Sequence, residues 1–279
     1  MPAPRILVFD SGLGGLTVFR EIAKTLPHAD FVYAADDAGF PYGDWSADDL
    51  VWRVVAVMRR LVAETRPDAV VIACNTASTL VLPHLRAAFD PLPFVGTVPA
   101  IKPAAERSRS KLISVLATPG TVARDYTRDL VSSFAAHCEV ELVGSRSLAR
   151  LAEEFMHGAA VPDDAIAAEI APCFVTRDGV RTDEIVLACT HYPLLMEQFR
   201  RLAPWPVDWI DPAPAIARRV AQVLGERVEA AEAQRGAAIH AAIFTSGRKP
   251  DAALARALSG FGLAAIEFAS MPVERQGAL

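Results

Sequence analysis

Two cysteines carry the strongest chemical signal in this chain. Cys74 stands in Val70-Val-Ile-Ala-Cys74-Asn-Thr76 and Cys189 in Ile185-Val-Leu-Ala-Cys189-Thr-His191. Both strings run three apolar residues, an alanine, the thiol and two polar residues. Each reads as a buried strand that ends at the sulfur and opens into a polar segment. A helix beginning just beyond would point its partial positive charge at the sulfur and favour thiolate. One cysteine in such a place is usually a small core filler, since free cysteine is among the most buried residue types. Two in matching contexts point to a shared task. A thiol with an ordinary pKa of about 8.5 reaches both protonation states near neutral pH after modest tuning. A pair of them can therefore take a proton from one face of a carbon and deliver another to the opposite face.

Other residues are candidates beside them. His191, two positions after Cys189, reads as a proton relay or thiol-tuning group, or else as a satisfied core histidine. Asp10-Ser-Gly-Leu-Gly-Gly15 follows an apolar run but lacks both the GxGxxG order and the Gly-Lys-Ser/Thr ending of nucleotide loops. Its glycines would let the backbone approach a small anion, and a following helix N-terminus suits a carboxylate. The plainer reading makes Asp10 a helix cap. Cys138 and Cys173 have no strand-end context and read as packing. No CxxC spacing occurs, so neither a zinc site nor a dithiol oxidoreductase is expected, and the four cysteines read as free thiols.

The elements that must position these groups follow from the pattern of the chain. Its 279 residues suggest two domains of ordinary size. A net charge of -5 argues against a nucleic-acid surface. No apolar run reaches the roughly 18 residues of a membrane span. Met1–Asp10 lacks the apolar region of a signal peptide, so a cytoplasmic chain is expected. Strands are expected at Arg5–Phe9, Phe31–Ala34, Ala69–Ala73, Phe94–Gly96, Leu112–Ala117, Val140–Val143, Ile185–Ala188, Val207–Ile210 and Ala241–Phe244. Helices are expected at Leu16–Leu26, Ala47–Thr65, Thr121–His137, Ser147–Phe155, Asp163–Arg177 and Ala213–Ala233. This alternation predicts an α/β chain whose mainly parallel sheets are flanked by helices. A looser echo, Ile6-Leu-Val-Phe-Asp10 beside Ile113-Ser-Val-Leu-Ala117, adds to the cysteine strings. Together they predict two pseudo-symmetric domains, residues 1-98 plus 210-279 and residues 99-209. The site would lie in the cleft between them, beyond the carboxyl ends of the strands.

Seven strings, in order, resemble the bacterial glutamate racemases of the aspartate/glutamate racemase superfamily. They are Phe9-Asp-Ser-Gly-Leu-Gly-Gly15, Phe40-Pro-Tyr-Gly43, Ala73-Cys-Asn-Thr-Ala-Ser78, Val98-Pro-Ala-Ile-Lys-Pro103, Leu116-Ala-Thr-Pro-Gly-Thr121, Ala188-Cys-Thr-His-Tyr-Pro-Leu-Leu195 and Ile210-Asp211. The resemblance implies a cofactor-independent enzyme interconverting L- and D-glutamate, with no metal, pyridoxal phosphate or nucleotide, that supplies D-glutamate for peptidoglycan. It implies that Cys74 takes the proton from D-glutamate and Cys189 from L-glutamate. Asp10 would assist Cys74, and His191 with Glu153 would assist Cys189; Glu154 is the alternative to Glu153. Asp10, Ser11, Pro41, Tyr42, Gly43, Asn75, Thr76, Thr118, Thr121, Thr190 and His191 would hold the substrate. Tyr42 is given this role by the resemblance alone, since Pro-Tyr-Gly is an ordinary turn. The family commonly forms homodimers. Aspartate or another amino acid as substrate, and a non-catalytic protein-binding regulator, are the rival readings. Three departures stand out: Asp44-Trp45 where many members carry a basic residue, Pro212 where serine is usual, and Gly144-Ser145 in place of a Cys-Pro seen in some members, though others share Gly-Ser.

Overall fold

The computed structural model describes residues 3–225, 240–263 and 265–271. The first part of the chain runs β1 (Arg5–Asp10), α1 (Leu16–Thr25), β2 (Asp30–Ala35), α2 (Ala47–Thr65), β3 (Ala69–Ile72), α3 (Asn75–Ala88) and β4 (Phe94–Gly96). Next come α4 (Ile101–Arg107), β5 (Leu112–Ala117), α5 (Pro119–Val122), α6 (Asp125–Phe134), β6 (Glu139–Gly144), α7 (Leu148–Met156) and α8 (Asp163–Ile170). A short hairpin, β7 (Thr176–Arg177) and β8 (Val180–Arg181), precedes β9 (Glu184–Ala188), α9 (Met196–Leu202) and β10 (Asp208–Ile210). The described chain ends with α10 (Ala213–Leu224), β11 (His240–Phe244), α11 (Ala252–Gly260) and β12 (Ala265–Phe268).

Two parallel sheets organise the molecule. One has the order β12-β11-β2-β1-β3-β4 and the other β10-β9-β5-β6. The run β2-β1-β3-β4 of the first matches β6-β5-β9-β10 of the second, so β1 corresponds to β5 and β3 to β9. Both faces of each sheet are covered. On β1, Ile6 and Val8 join the core built with α1 and α10, while Leu7 and Phe9 join that of α2 and α3. On β9, Ile185 and Leu187 pack toward α7, α8 and α9, and Val186 and Ala188 toward α4 and α6. Successive strand residues point to opposite faces, so covering both faces demands the unbroken apolar runs seen in the sequence.

Two expected helices end early or divide. The stretch expected at Thr121–His137 is two helices, α5 and α6, because Arg124 is extended (φ -75, ψ 136). The Thr127 hydroxyl donates to the Thr121 carbonyl at 2.7 Å across that break. The stretch expected at Asp163–Arg177 ends as helix at Ile170, where Pro172 lies in a tight turn at Ala171–Cys173. Proline has no N–H to continue the helical ladder. The chain then enters the hairpin, whose turn residues Asp178 and Gly179 have φ of 50° and 80°, the conformation of an Asp-Gly hairpin turn. Of the helix expected at Ala213–Ala233, residues 226–233 lie outside the described residues. No helix among the described residues is long and apolar enough to cross a membrane.

Candidate active site

The carboxyl ends of both sheets meet at one narrow cavity of about 30 Å³. Cys74 and Cys189 both line it. Ser11, Pro41, Tyr42, Gly43, Asn75, Thr76, Thr118, Thr190 and His191 do so as well. Three residues of the expected set stand just behind this wall: Asp10, Thr121 and Glu153. Roomier grooves, such as one lined by Arg107, Asp183, Glu184 and Asp208, contain neither thiol.

The topology accounts for this meeting. Cys74 leaves the end of β3 beside Asp10, since Ala73 N–H donates to the Phe9 carbonyl at 2.8 Å. Cys189 leaves β9 beside Thr118, because Ala188 is in register with Ala117. Cys74 is the N-cap of α3, as a thiol-tuning helix would require. After Cys189 the chain instead makes a turn and then a single 3₁₀ turn at Tyr192–Leu195, with Pro193 near its start. The helix-end charge expected at both sulfurs is therefore present as an α-helix at only one.

The two thiols have unlike neighbours. Burial, followed by the charge of Asp10, pushes the Cys74 thiol up to about 12, against the Ala77 N–H and the Ser11 side chain, which draw it down. Asp10 is fully buried, and burial raises its own carboxyl against the opposing pull of His191 and the Gly12 and Gly15 N–H groups. Gly12 N–H and the Thr190 hydroxyl both donate to the Asp10 carboxylate, at 3.2 Å each. Cys189 Sγ lies 3.8 Å from His191 Nδ1, and His191 Nε2 lies 2.7 Å from Glu153 Oε1. Burial works against a charged His191, but the hydrogen bonds and charges of Cys189 and Glu153 outweigh it and hold the imidazole well above its usual range. His191 is thus a group whose protonated form is favoured, placed between a carboxylate and a sulfur. Glu153, rather than Glu154, makes this contact; Glu154 pairs with Arg150 at 2.6 Å on the surface.

Between the thiols the wall is polar and partly unpaired. Asn75 is 2% exposed, yet its Nδ2 and Oδ1 have no hydrogen-bond partner. Buried polar groups normally find partners, so both atoms are free to take up a ligand. Thr76, Thr118 and Thr121 form a hydroxyl cluster bridging the two halves, with Oγ1 separations of 3.1 to 3.4 Å. The glycines near Asp10 serve a tighter purpose than approach to an anion. A Cβ on Gly12 would lie 2.2 Å from Glu153 Oε1, and one on Gly14 would lie 2.5 Å from His191 Nδ1. Their lack of side chains lets the β1–α1 loop close against the second sheet's residues, where Leu13 N–H donates to Glu153 at 2.6 Å.

Comparison with known proteins fixes the family. A family model described as Asp/Glu/Hydantoin racemase matches residues 6–220. The chain belongs to the Asp/Glu/Hydantoin racemase family. Among its relatives, a glutamate racemase of Sinorhizobium medicae (strain WSM419) is 61% identical over 258 residues, spanning 92% of this chain and 94% of that protein. A glutamate racemase of Brucella canis is 56% identical over 262 residues, 94% of each chain. The solved Escherichia coli glutamate racemase, in complex with L-glutamate and the activator UDP-MurNAc-Ala, superposes with a TM-score of 0.86. It is 38% identical, and the match covers 96% of this chain and 99% of that one. The Thermus thermophilus glutamate racemase, in complex with beta-chloro-D-alanine, gives a TM-score of 0.72 at 27% identity, covering 98% and 99%.

Several further residues belong to the site. Phe40, Ala149 and Ala188 line the cavity, and the Phe40 ring packs on His191 with centroids 5.4 Å apart. Tyr33 donates its hydroxyl to the Gly12 carbonyl at 2.5 Å and so fixes the loop beneath Asp10. Phe40 stands in a motif string, so that signal was available; Tyr33 lies in an ordinary buried strand and offered none. The departure at Asp44-Trp45 lies outside the cavity lining, to which neither residue belongs. Cys173 is fully buried, and Cys138 is half-buried near the Ala105 carbonyl, 3.9 Å away.

Proposed function

We propose that this isomerase interconverts L- and D-glutamate by moving one proton at Cα between two thiols. The observation that carries the reading is that Cys74 and Cys189, from the ends of corresponding strands in two matching sheets, line one cavity. In this scheme Cys74 acts on D-glutamate and Cys189 on L-glutamate. His191, backed by Glu153, stands beside Cys189 and serves that sulfur's proton transfer, while burial favours the thiol form of Cys74. Asp10 assists Cys74, beside which its charge lies. Asn75, with its two unpaired polar atoms, and the Ser11, Tyr42–Gly43, Thr76, Thr118, Thr121 and Thr190 groups hold the ammonium and carboxylates. Pro41 shapes the wall beside them.

The product fits a supply of D-glutamate for peptidoglycan in the cytoplasm, and a homodimer fits the family's habit. Residues 1-98 with 210-279 form one domain in this reading and 99-209 the other. Incubation with L-glutamate in D₂O and no added cofactor is expected to give racemic glutamate labelled at Cα, with aspartate run in parallel. Turnover of aspartate at the same rate, or no label in glutamate, would discard the assignment.

A further inference from the structure

Behind the wall of Phe40, Pro41, Tyr42 and Gly43 lies an ion pair shut off from solvent. Asp36 and Arg53 are each 0% exposed. Arg53 Nε donates to Asp36 Oδ2 at 2.8 Å and Nη2 to Oδ1 at 2.5 Å. The Tyr42 phenol donates to the same Oδ2 at 2.5 Å, and the Thr245 hydroxyl to Oδ1 at 2.6 Å. Burial, then the charge of Asp36, holds the phenol well above its usual range, so it remains a donor. Trp45 closes the arrangement from outside. Its indole N–H donates to the Gly39 carbonyl at 2.8 Å, and the Arg53 guanidinium carbon sits 5.7 Å from its ring centroid. The fit leaves no slack: a Cβ on Gly39 would lie 2.6 Å from Arg53 Nε and 2.8 Å from Asp36 Oδ2.

A buried ion pair seldom improves on apolar packing as a source of stability, and its best-attested use is to fix one geometry. Here the fixed object is the Tyr42 side chain, whose hydroxyl is tied away from the cavity while the rest of the residue lines it. We propose that Asp36 and Arg53, backed by Trp45, are positioning residues that hold the Phe40–Gly43 wall at its distance from the two thiols and so set the affinity for the substrate. The nature of that substrate rests on the glutamate racemase reading; the clamp itself does not. Lysine at position 53 would keep the charge but lose the planar fork that grips both carboxylate oxygens.

The test uses Arg53→Lys and Trp45→Phe in the full chain. It compares amide hydrogen exchange of residues 38–45 and 184–195 with kcat and KM for each glutamate enantiomer. In Arg53→Lys, exchange in 38–45 is expected to quicken about tenfold while 184–195 is unchanged. KM is expected to rise about tenfold for both enantiomers, with kcat within about threefold, the signature of a displaced wall rather than a lost acid or base. Trp45→Phe leaves the ion pair whole and is expected to shift the same two readouts in the same direction by less; it decides the matter alone should Arg53→Lys fail to fold. Exchange in 38–45 at the parent rate overturns the proposal whatever the activity. Quickened exchange with an unchanged KM overturns it too. If the parent protein itself does not racemise glutamate, the functional reading fails, and hydrogen exchange still judges the clamp.

Discussion

Removing one thiol at a time should separate exchange from inversion. With Cys189→Ala, Cys74 can still take the α-proton of D-glutamate and return a solvent-derived one to the same face. D-glutamate should then gain deuterium without inverting, and L-glutamate should gain none. Cys74→Ala should behave in the opposite sense. Racemisation should fall by about 10²–10⁴-fold in each, the usual worth of one acid/base group. The pH dependence follows from the surroundings of each sulfur. Cys74, pushed up to about 12 by burial and Asp10, is ionised in roughly one molecule in 10⁴ at pH 8, an ionisation cost of ~5 kcal/mol. Same-face exchange of D-glutamate by Cys189→Ala should therefore rise about tenfold per pH unit from pH 7 to 9, as expected for a group far below half-ionisation. Loss of the Cys189 charge, a lesser cause of the Cys74 shift, moderates the cost without removing it. The assay is mass spectrometry of glutamate after enantiomer separation. Label entering L-glutamate with Cys189→Ala, or racemisation above about a tenth of the parent rate in either variant, would refute the two-thiol scheme.

Three further outcomes are expected. Glu153→Gln removes a charge-assisted hydrogen bond to His191, worth about 1.5–3 kcal/mol. It should lower kcat/KM by about 10- to 100-fold, and activity should fall away at a lower pH than in the parent as His191 loses the carboxylate that raises it; a parent-like pH profile by polarimetry would contradict this. Gly14→Ala would place a Cβ 2.6 Å from both the His191 backbone nitrogen and the Thr190 Oγ1, and overpacking of that kind costs about 1–3 kcal/mol. Racemisation should be lost with circular dichroism retained, and full activity would mean that the β1–α1 loop does not need to close so tightly. Glu184 is pushed up to about 7, chiefly by burial and then by Asp208 and Asp183. The fold thus prefers its protonated form, so its contribution to stability is complete below the ordinary carboxyl range and is lost as pH rises through about 7. Glu184→Gln should raise the urea midpoint at pH 8 relative to the parent and change it little at pH 4; an equal shift at both would exclude the linkage.

Legibility in the sequence followed the physics of each element. Strands such as Leu112–Ala117 are buried on both faces, so their apolar runs are continuous and their ends fall close to where they were expected. The division between α5 and α6 depends on the Thr127 hydroxyl bonding the Thr121 carbonyl, a contact no periodicity encodes. The stop at Pro172 was written in the sequence, although the apolar pattern around it continues at helical spacing. At the site, residues attached to strand ends were legible because chain position alone brings them to the cleft. Arg53 was not, although the hint existed: it occupies the buried stripe of α2 between Leu50 and Val57, where a charge needs a partner. That partner, Asp36, sits on another element, and pairing across elements is what a single sequence conceals.

The backbone is nearly symmetric about the cavity and the electrostatics are not, and thermodynamics limits what that difference can do. Enantiomers have equal free energy in water, so the two directions of racemisation must share one kcat/KM whatever surrounds each thiol. A buried carboxyl beside Cys74 and a histidine beside Cys189 cannot favour one product. They can decide how the free enzyme rests, since burial and Asp10 keep the proton on Cys74. The enantiomer facing Cys74 must first have that thiol ionised, and this cost should appear as a difference in kcat and KM individually. Placing unlike partners at matching strand ends thus divides one barrier unequally between two directions without changing its height from free enzyme and substrate.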